Sequence, residues 1–315
     1  MEKDLSRQEK LKEIMGQLEV GIQGIFESEQ YRRYLDTLSK FHNYSTNNCL
    51  LILLQKPDAT HVAGFHAWKD KFKRSVRKGE KGIKIIAPAP FKAKAKVDRL
   101  DENGRPVIGE GGRRMKEEKE ITVSAFKITT VFDVSQTEGE PFLQLGSKEL
   151  LGTVGGYKDL FSAIEKTSPF PVGFEEISTG AKGYCHLKEK RIAINEGMSE
   201  RQNLKTLIHE MAHARIHDNA EKEAPQADRR TQEVEAESIA YTVCQHYGLD
   251  TSDYSFGYIA GRSGGKKIDV LRASLDTIRK GADTIISEAD KHFVELRQGA
   301  APQQSPPKKA RDAAR

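Results

Sequence analysis

The sequence predicts an α+β protein of two domains, and three observations predict it. Apolar residues recur at helical spacing through the first 56 positions. Short runs rich in β-formers, separated by Gly-bearing turns, follow them. Beyond a polar Gly/Pro stretch near residue 140, helical patterns return around three further short strands. A chain of 315 residues has room for two modest domains and a tail.

Three helices are expected first. Leu11, Ile14, Met15, Leu18, Ile22, Ile25 and Phe26 share a face of one. Tyr31, Leu35 and Leu38 share a face of the second, Glu29 to Phe41. The third starts at Ser45, a suitable N-cap, and runs to Gln55, where Lys56-Pro57 stops it. Val62 to Phe65 and Gly82 to Pro88 read as strands with a turn over 77–82, and Phe91 to Lys96 as another. Residues 101–119, polar and glycine-rich, read as a loop or long hairpin tip, and Ile121 to Phe132 as one strand. Residues 1–140 are therefore expected to form a domain of helices plus an antiparallel sheet.

The second domain is expected over 141–298. Leu150 to Glu165 reads as a helix; Val172 to Ile177, Gly183 to Leu187 and Arg191 to Ile194 read as strands. Ser199 to His217 is a helix with Ser199 and Gln202 as a capping box. Glu233 to Tyr247 is another, ended by Gly248, and Leu271 to Leu296 a long amphipathic one. Residues 299–315 have the composition of a disordered tail.

Bulk properties exclude several classes. The charged N-terminus has no apolar stretch behind it, and the longest apolar run, Cys49 to Leu54, is too short to span a bilayer; a cytoplasmic protein is expected. Three scattered cysteines without a CxxC pair argue against a disulfide framework and a thiolate zinc site. The net charge of +5 hides a split. Between His61 and Arg99 twelve Lys/Arg stand against three Asp/Glu, whereas between Glu200 and Ser255 six stand against eleven. One half is built to meet a polyanion and the other has a different task.

That other task is legible in LIHEMAHARIH, starting at Leu207. His209 and His213, four apart on a helix, project their rings from one face and can reach one Zn2+ ion. Glu210 stands beside them, where it can accept a proton from water and pass it to a leaving amine, the metallopeptidase arrangement. A third ligand must come from elsewhere. Glu233 is the best donor, with Glu237 one turn on accepting the second ring N–H of a ligating histidine. His246 is a weaker candidate, and Tyr184 or Tyr241 could steady an oxyanion. His217 stands two turns beyond His209, too far to share its metal. Glu235 points elsewhere and is expected in solvent. Position 219 is Asn, so the metzincin pattern with a third histidine is absent.

The basic half suits single-stranded DNA. Lys71, Lys73, Arg74, Arg77, Lys78, Lys81 and Lys84 supply charge for phosphates, and Phe65, Trp68 and Phe72 are interleaved as stacking faces. Asn47 and Asn48 could read a base edge or serve as caps.

Two resemblances follow from these residues. LIHEMAHARIH with EVEAESIAY, from Glu233, resembles the zincin domain of ImmA/IrrE-type and ArdC-type proteins; it implies Glu233 as third ligand, with Glu237 where related zincins carry Asp or Asn. Ser45-TNN-Asn48, Val62-AGF, Trp68, Val76-RKGEKGI-Ile83 and Val131-FDVSQT-Thr137 resemble the single-stranded-DNA-binding domain of ArdC-type antirestriction proteins. Together they imply a single-stranded-DNA-binding zinc metalloprotein of mobile elements with a metallopeptidase site and an antirestriction or DNA-protecting role. A protein substrate is a further implied partner, and a non-catalytic DNA-protecting protein with a structural metal is the alternative.

Overall fold

The structure is a computed structural model and describes residues 7–25, 28–99, 101–109, 111–142, 154–216, 228–249 and 268–299. Residues 300–315 of the expected tail and His217 lie outside the described residues. The chain divides into two compact units, one of residues 1–23 and 47–142, the other of 24–46 and 143–315.

Helices α1 (Arg7–Ile25) and α3 (Thr46–Gln55) open the first unit's share of the chain. Ile14, Leu18 and Ile22 of α1 are buried, as are all four residues Leu50 to Leu53 of α3. An antiparallel sheet follows, in the order β1 (Val62–Gly64), β6 (Phe126–Asp133), β3 (Ile83–Pro88). The outer edge of β3 is closed by side chains. The Asn48 amide bonds both backbone groups of Ile86, each at 2.9 Å, and the Gln55 amide does the same for Lys84, each at 2.8 Å. Two amides on one helix thus stand in for a neighbouring strand, which answers the hydrogen-bonding demand of an exposed edge. Asn48 is therefore a structural residue rather than a reader of bases.

Three local features depart from the expectation. A six-residue helix α4 (Phe65–Asp70), which begins at the residue expected to end a strand, and a short strand β2 (Arg74–Val76) form in a stretch to which the sequence assigned no element. Six residues are too few for a helical period to register in the sequence. The single strand expected over Ile121 to Phe132 is two: β5 (Lys116–Val123) pairs with β4 (Phe91–Asp98) as a hairpin arm, and the chain then turns into β6. After β6 comes a short 3-10 turn, Val134–Gln136, capped by Asp133 and Gln136, and then β7 (Thr137–Gly139), which pairs with β2.

The second unit contains α2 (Ser28–Lys40), which the sequence reading placed with the first 140 residues. Its burial follows from one apolar face: Tyr31, Tyr34, Leu35 and Leu38 are fully buried. Tyr31 Oη lies 2.7 Å from Ser238 Oγ, and Tyr241 donates to Asp36, so α2 is tied to α7 (Arg229–His246). A sheet of order β8 (Val172–Glu175), β10 (Arg191–Asn195), β9 (Gly183–His186) stands with α5 (Val154–Lys166), α6 (Glu200–Ile216) and α8 (Ile268–Gly299). β8 runs parallel to β10 and β9 antiparallel, so β9 forms one edge. α6 packs on β9 and β10 and against α7, with Leu204, Leu207, Ile208, Met211 and Ala212 buried. Ser199 caps α6 by accepting from Gln202 N at 3.3 Å, while the Gln202 side chain runs instead to Thr206 and Lys182.

Candidate metal centre

α6 and α7 bring three donors to one point. His209 Nε2 stands 3.1 Å from His213 Nε2, and Glu233 Oε2 lies 3.5 Å from the first and 3.6 Å from the second. Donors about 2.0–2.1 Å from a tetrahedral ion stand roughly 3.3 Å from one another. The set therefore fits a divalent cation, and among the described residues it is the grouping of His, Cys, Asp and Glu with metal-ligand proximity.

The surrounding groups prepare these donors. His209 Nδ1 faces Glu237 Oε2 at 3.2 Å, so in the neutral ring this nitrogen carries the proton and Nε2 keeps its lone pair. Glu237 is held in turn by Lys205 Nζ at 3.5 Å. Burial pushes the His209 pKa down, but Glu233 and Glu237 outweigh it and raise the value to about 9. His209 and His213 hold the Glu233 carboxyl well below its ordinary range. Glu210 is 8% exposed, and burial pushes its carboxyl up despite the nearby imidazoles and a backbone hydrogen bond from Cys185.

Glycine at 183 lets this geometry form. A Cβ there would stand 2.4 Å from Thr206 Cγ2 and 2.8 Å from Ala193 O, with Glu210 Cγ at 3.5 Å. The close approach of β9 to α6 sets Glu210 against one wall of an open cleft of about 590 Å³. The cleft is lined by Gly183, Tyr184 and Cys185 of β9, by His209, Glu210 and His213 of α6, and by Arg229, Gln232 and Glu233 of α7.

Several expected residues take other roles. Glu235 is 4% exposed, not solvated: it accepts from Ser274 Oγ at 2.7 Å, inside the helical core. Tyr241 is buried against α2, and the Tyr184 hydroxyl donates to Glu175 under the Arg191 guanidinium, so neither phenol stands ready for an oxyanion. His246 bonds Ser39 O at 2.8 Å, away from the three donors. Lys205, Gly183 and Arg229 were missed. Lys205 and Arg229 stand four positions before His209 and Glu233, a spacing that placed them on the ligands' helix faces.

In the first unit the expected DNA contacts divide. Trp68 is fully buried, its Nε1 donates to Phe132 O at 2.9 Å, and its ring packs 5.0 Å from Phe72. Its role as a stacking face is corrected: an indole with helical spacing on a short helix turned inward. Arg74 and Arg77 spend their guanidinium donors on Thr137, Glu140, Ser135 and Glu80, stitching β2 to the segment 135–140. Lys84 Nζ bonds Thr130 Oγ1 at 2.8 Å and Lys73 Nζ bonds Asp70 O at 3.0 Å. Lys71, Lys78 and Lys81 are exposed, as is Phe65 at 52%.

A helix carrying HExxH, a second helix presenting Glu233, and an edge strand over the cleft define the C-terminal half as a zincin-like domain. Residues 6–132 match the family model of the N-terminal domain of anti-restriction factor ArdC, and residues 171–247 that of the IrrE N-terminal-like domain. The chain carries these two family domains in that order. It is 28% identical to an uncharacterized protein of Bacillus anthracis, over 91% of this chain and 52% of that one, so it spans about half the length of that relative. Two crystal structures of the antirestriction protein ArdC from plasmid R388 are similar to it. The metal-free one has a TM-score of 0.44 at 18% identity, covering 79% of this chain and 86% of that one. The Mn(II)-bound one has a TM-score of 0.41 at 19% identity, covering 83% and 86%. No described helix is long and apolar enough to cross a membrane.

Proposed function

We propose that this is a single-stranded-DNA-binding protein with a zinc-dependent peptidase site, serving to protect incoming DNA from restriction. The observation that carries the peptidase reading is the convergence of His209, His213 and Glu233 beside the buried Glu210. Two imidazoles and one carboxylate form a donor set suited to zinc. A cation held there supplies Lewis acidity toward a carbonyl oxygen and makes water acidic enough to ionise near neutral pH.

The protein's own groups do the rest. Glu237 keeps the His209 proton on Nδ1. β9, paired with β10 on one side, offers its outer backbone to an extended peptide, which would lie antiparallel or parallel along it with its carbonyl toward the three donors. Glu210 takes the proton from the attacking water and delivers it to the leaving nitrogen, and a carboxyl raised by burial suits both halves of that transfer. The DNA reading rests on the exposed Lys71, Lys78 and Lys81 and on the exposed ring of Phe65.

Glu210→Gln tests the enzyme. The variant is expected to keep its metal and lose peptide cleavage by about a hundredfold or more. Full cleavage by Glu210→Gln would overturn the mechanism. DNA protection that survives the substitution unchanged, with no cleavage by the wild type, would favour a non-catalytic metal.

A further inference from the structure

We infer that Arg229 sets the specificity of the cleft, selecting an acidic side chain in the peptide close to the bond that is cut. The inference rests on the peptidase reading and adds a substrate class to it. Arg229 lines the cleft one helical turn before Glu233, so the two side chains leave α7 on the same face. It is exposed and has no ion-pair partner among the described residues.

The other charged groups lining the cleft belong to the metal centre: His209, His213 and Glu233 as donors, Glu210 beside them. Arg229 is thus the cation in the lining with no assigned task. Helix stability does not account for it. A positive charge in the first turn opposes the backbone dipole, and α7 is already capped by Asp228, which accepts from Thr231 N at 2.9 Å. A guanidinium with its donors open in a recess is built to receive a planar carboxylate with two parallel hydrogen bonds. An acidic side chain one or two residues from the scissile bond fits a guanidinium standing one turn from the metal donors.

The test is a cleavage profile. Zinc-loaded full-length protein is incubated with a mixture of chymotryptic peptides from a bacterial lysate, which keep their internal acidic and basic residues, and the cut sites are read by mass spectrometry. The wild type is expected to cut with Asp and Glu enriched about tenfold at one position flanking the bond. Arg229→Ala removes that enrichment, Arg229→Lys retains part of it, and Arg229→Glu turns the preference toward Lys and Arg, all with unchanged metal content. Cleavage by the wild type without acidic enrichment, or with an enrichment that Arg229→Ala leaves intact, overturns the proposal and leaves the peptidase reading standing. No cleavage by the wild type under any metal removes both. Weaker single-stranded DNA binding by Arg229→Ala with an unaltered cleavage profile assigns the arginine to phosphate and overturns the proposal as well.

Discussion

At the residue scale, the chemistry turns on how the histidine protons are placed. Glu237 is 3.2 Å from His209 Nδ1 and fixes which nitrogen is free to bind a metal. Glu237→Ala is expected to weaken metal affinity about 10- to 100-fold with the three donors intact, as measured by competition with a chelating dye. An affinity within twofold of the wild type, about the error of such a titration, would remove this role. With the His209 pKa raised to about 9, the metal-free protein holds a proton there at neutral pH. Metal binding must expel it, so affinity is expected to climb with pH and level off near 9. Isothermal titration in buffers of different ionisation enthalpy reports that proton. The donors were legible because HExxH combines rare residue types at one helical spacing. The burial of Glu235 was not, because nothing in EVEAESIAY marks which of three glutamates meets Ser274.

At the element scale, long periodic helices were readable, and short elements that owe their form to partners were not. α6 was evident from its own pattern, while α4 and β2 are held by Trp68 bonding Phe132 and by arginines bonding the 135–140 segment. The approach of β9 to α6 was likewise invisible, since a glycine in a strand has several explanations. Gly183→Ala is expected to cost about 1–3 kcal/mol in urea unfolding and to lower cleavage by displacing Glu210. A variant with wild-type stability would show that β9 has room to move. In the first unit, Asp133 caps the 3-10 turn and accepts from Thr60, His61 and Ser135 backbone N–H groups. Burial pushes its carboxyl up, but those hydrogen bonds hold it below its ordinary range. Its contribution to stability is therefore full above about pH 4 and lost as pH falls through the lower folded value. The stability gap between wild type and Asp133→Asn should hold constant down to about pH 4 and narrow as pH falls below it; a gap independent of pH would contradict the assignment.

At the scale of the whole molecule, charge and chemistry are divided between two units. The basic segment 61–99 belongs to one and the metal donors to the other. The helix α2, adjacent in sequence to the first unit's helices, folds with the second because Tyr31 and Asp36 meet Ser238 and Tyr241 of α7, a long-range match that no local pattern announces. Reversing charge at Lys71, Lys78 and Lys81 together is expected to cut single-stranded DNA affinity and flatten its fall between about 50 and 200 mM salt. Metal content should stay unchanged. Equal DNA affinity after triple reversal would move the nucleic-acid surface elsewhere.

The most direct measurement is metal content by mass spectrometry of purified wild-type protein beside Glu233→Ala, after exposure to equimolar zinc and gel filtration. One bound ion per wild-type chain and little in the variant is the expected result. A wild type that emerges without metal, or a variant that keeps as much as the wild type, would contradict a centre built by His209, His213 and Glu233.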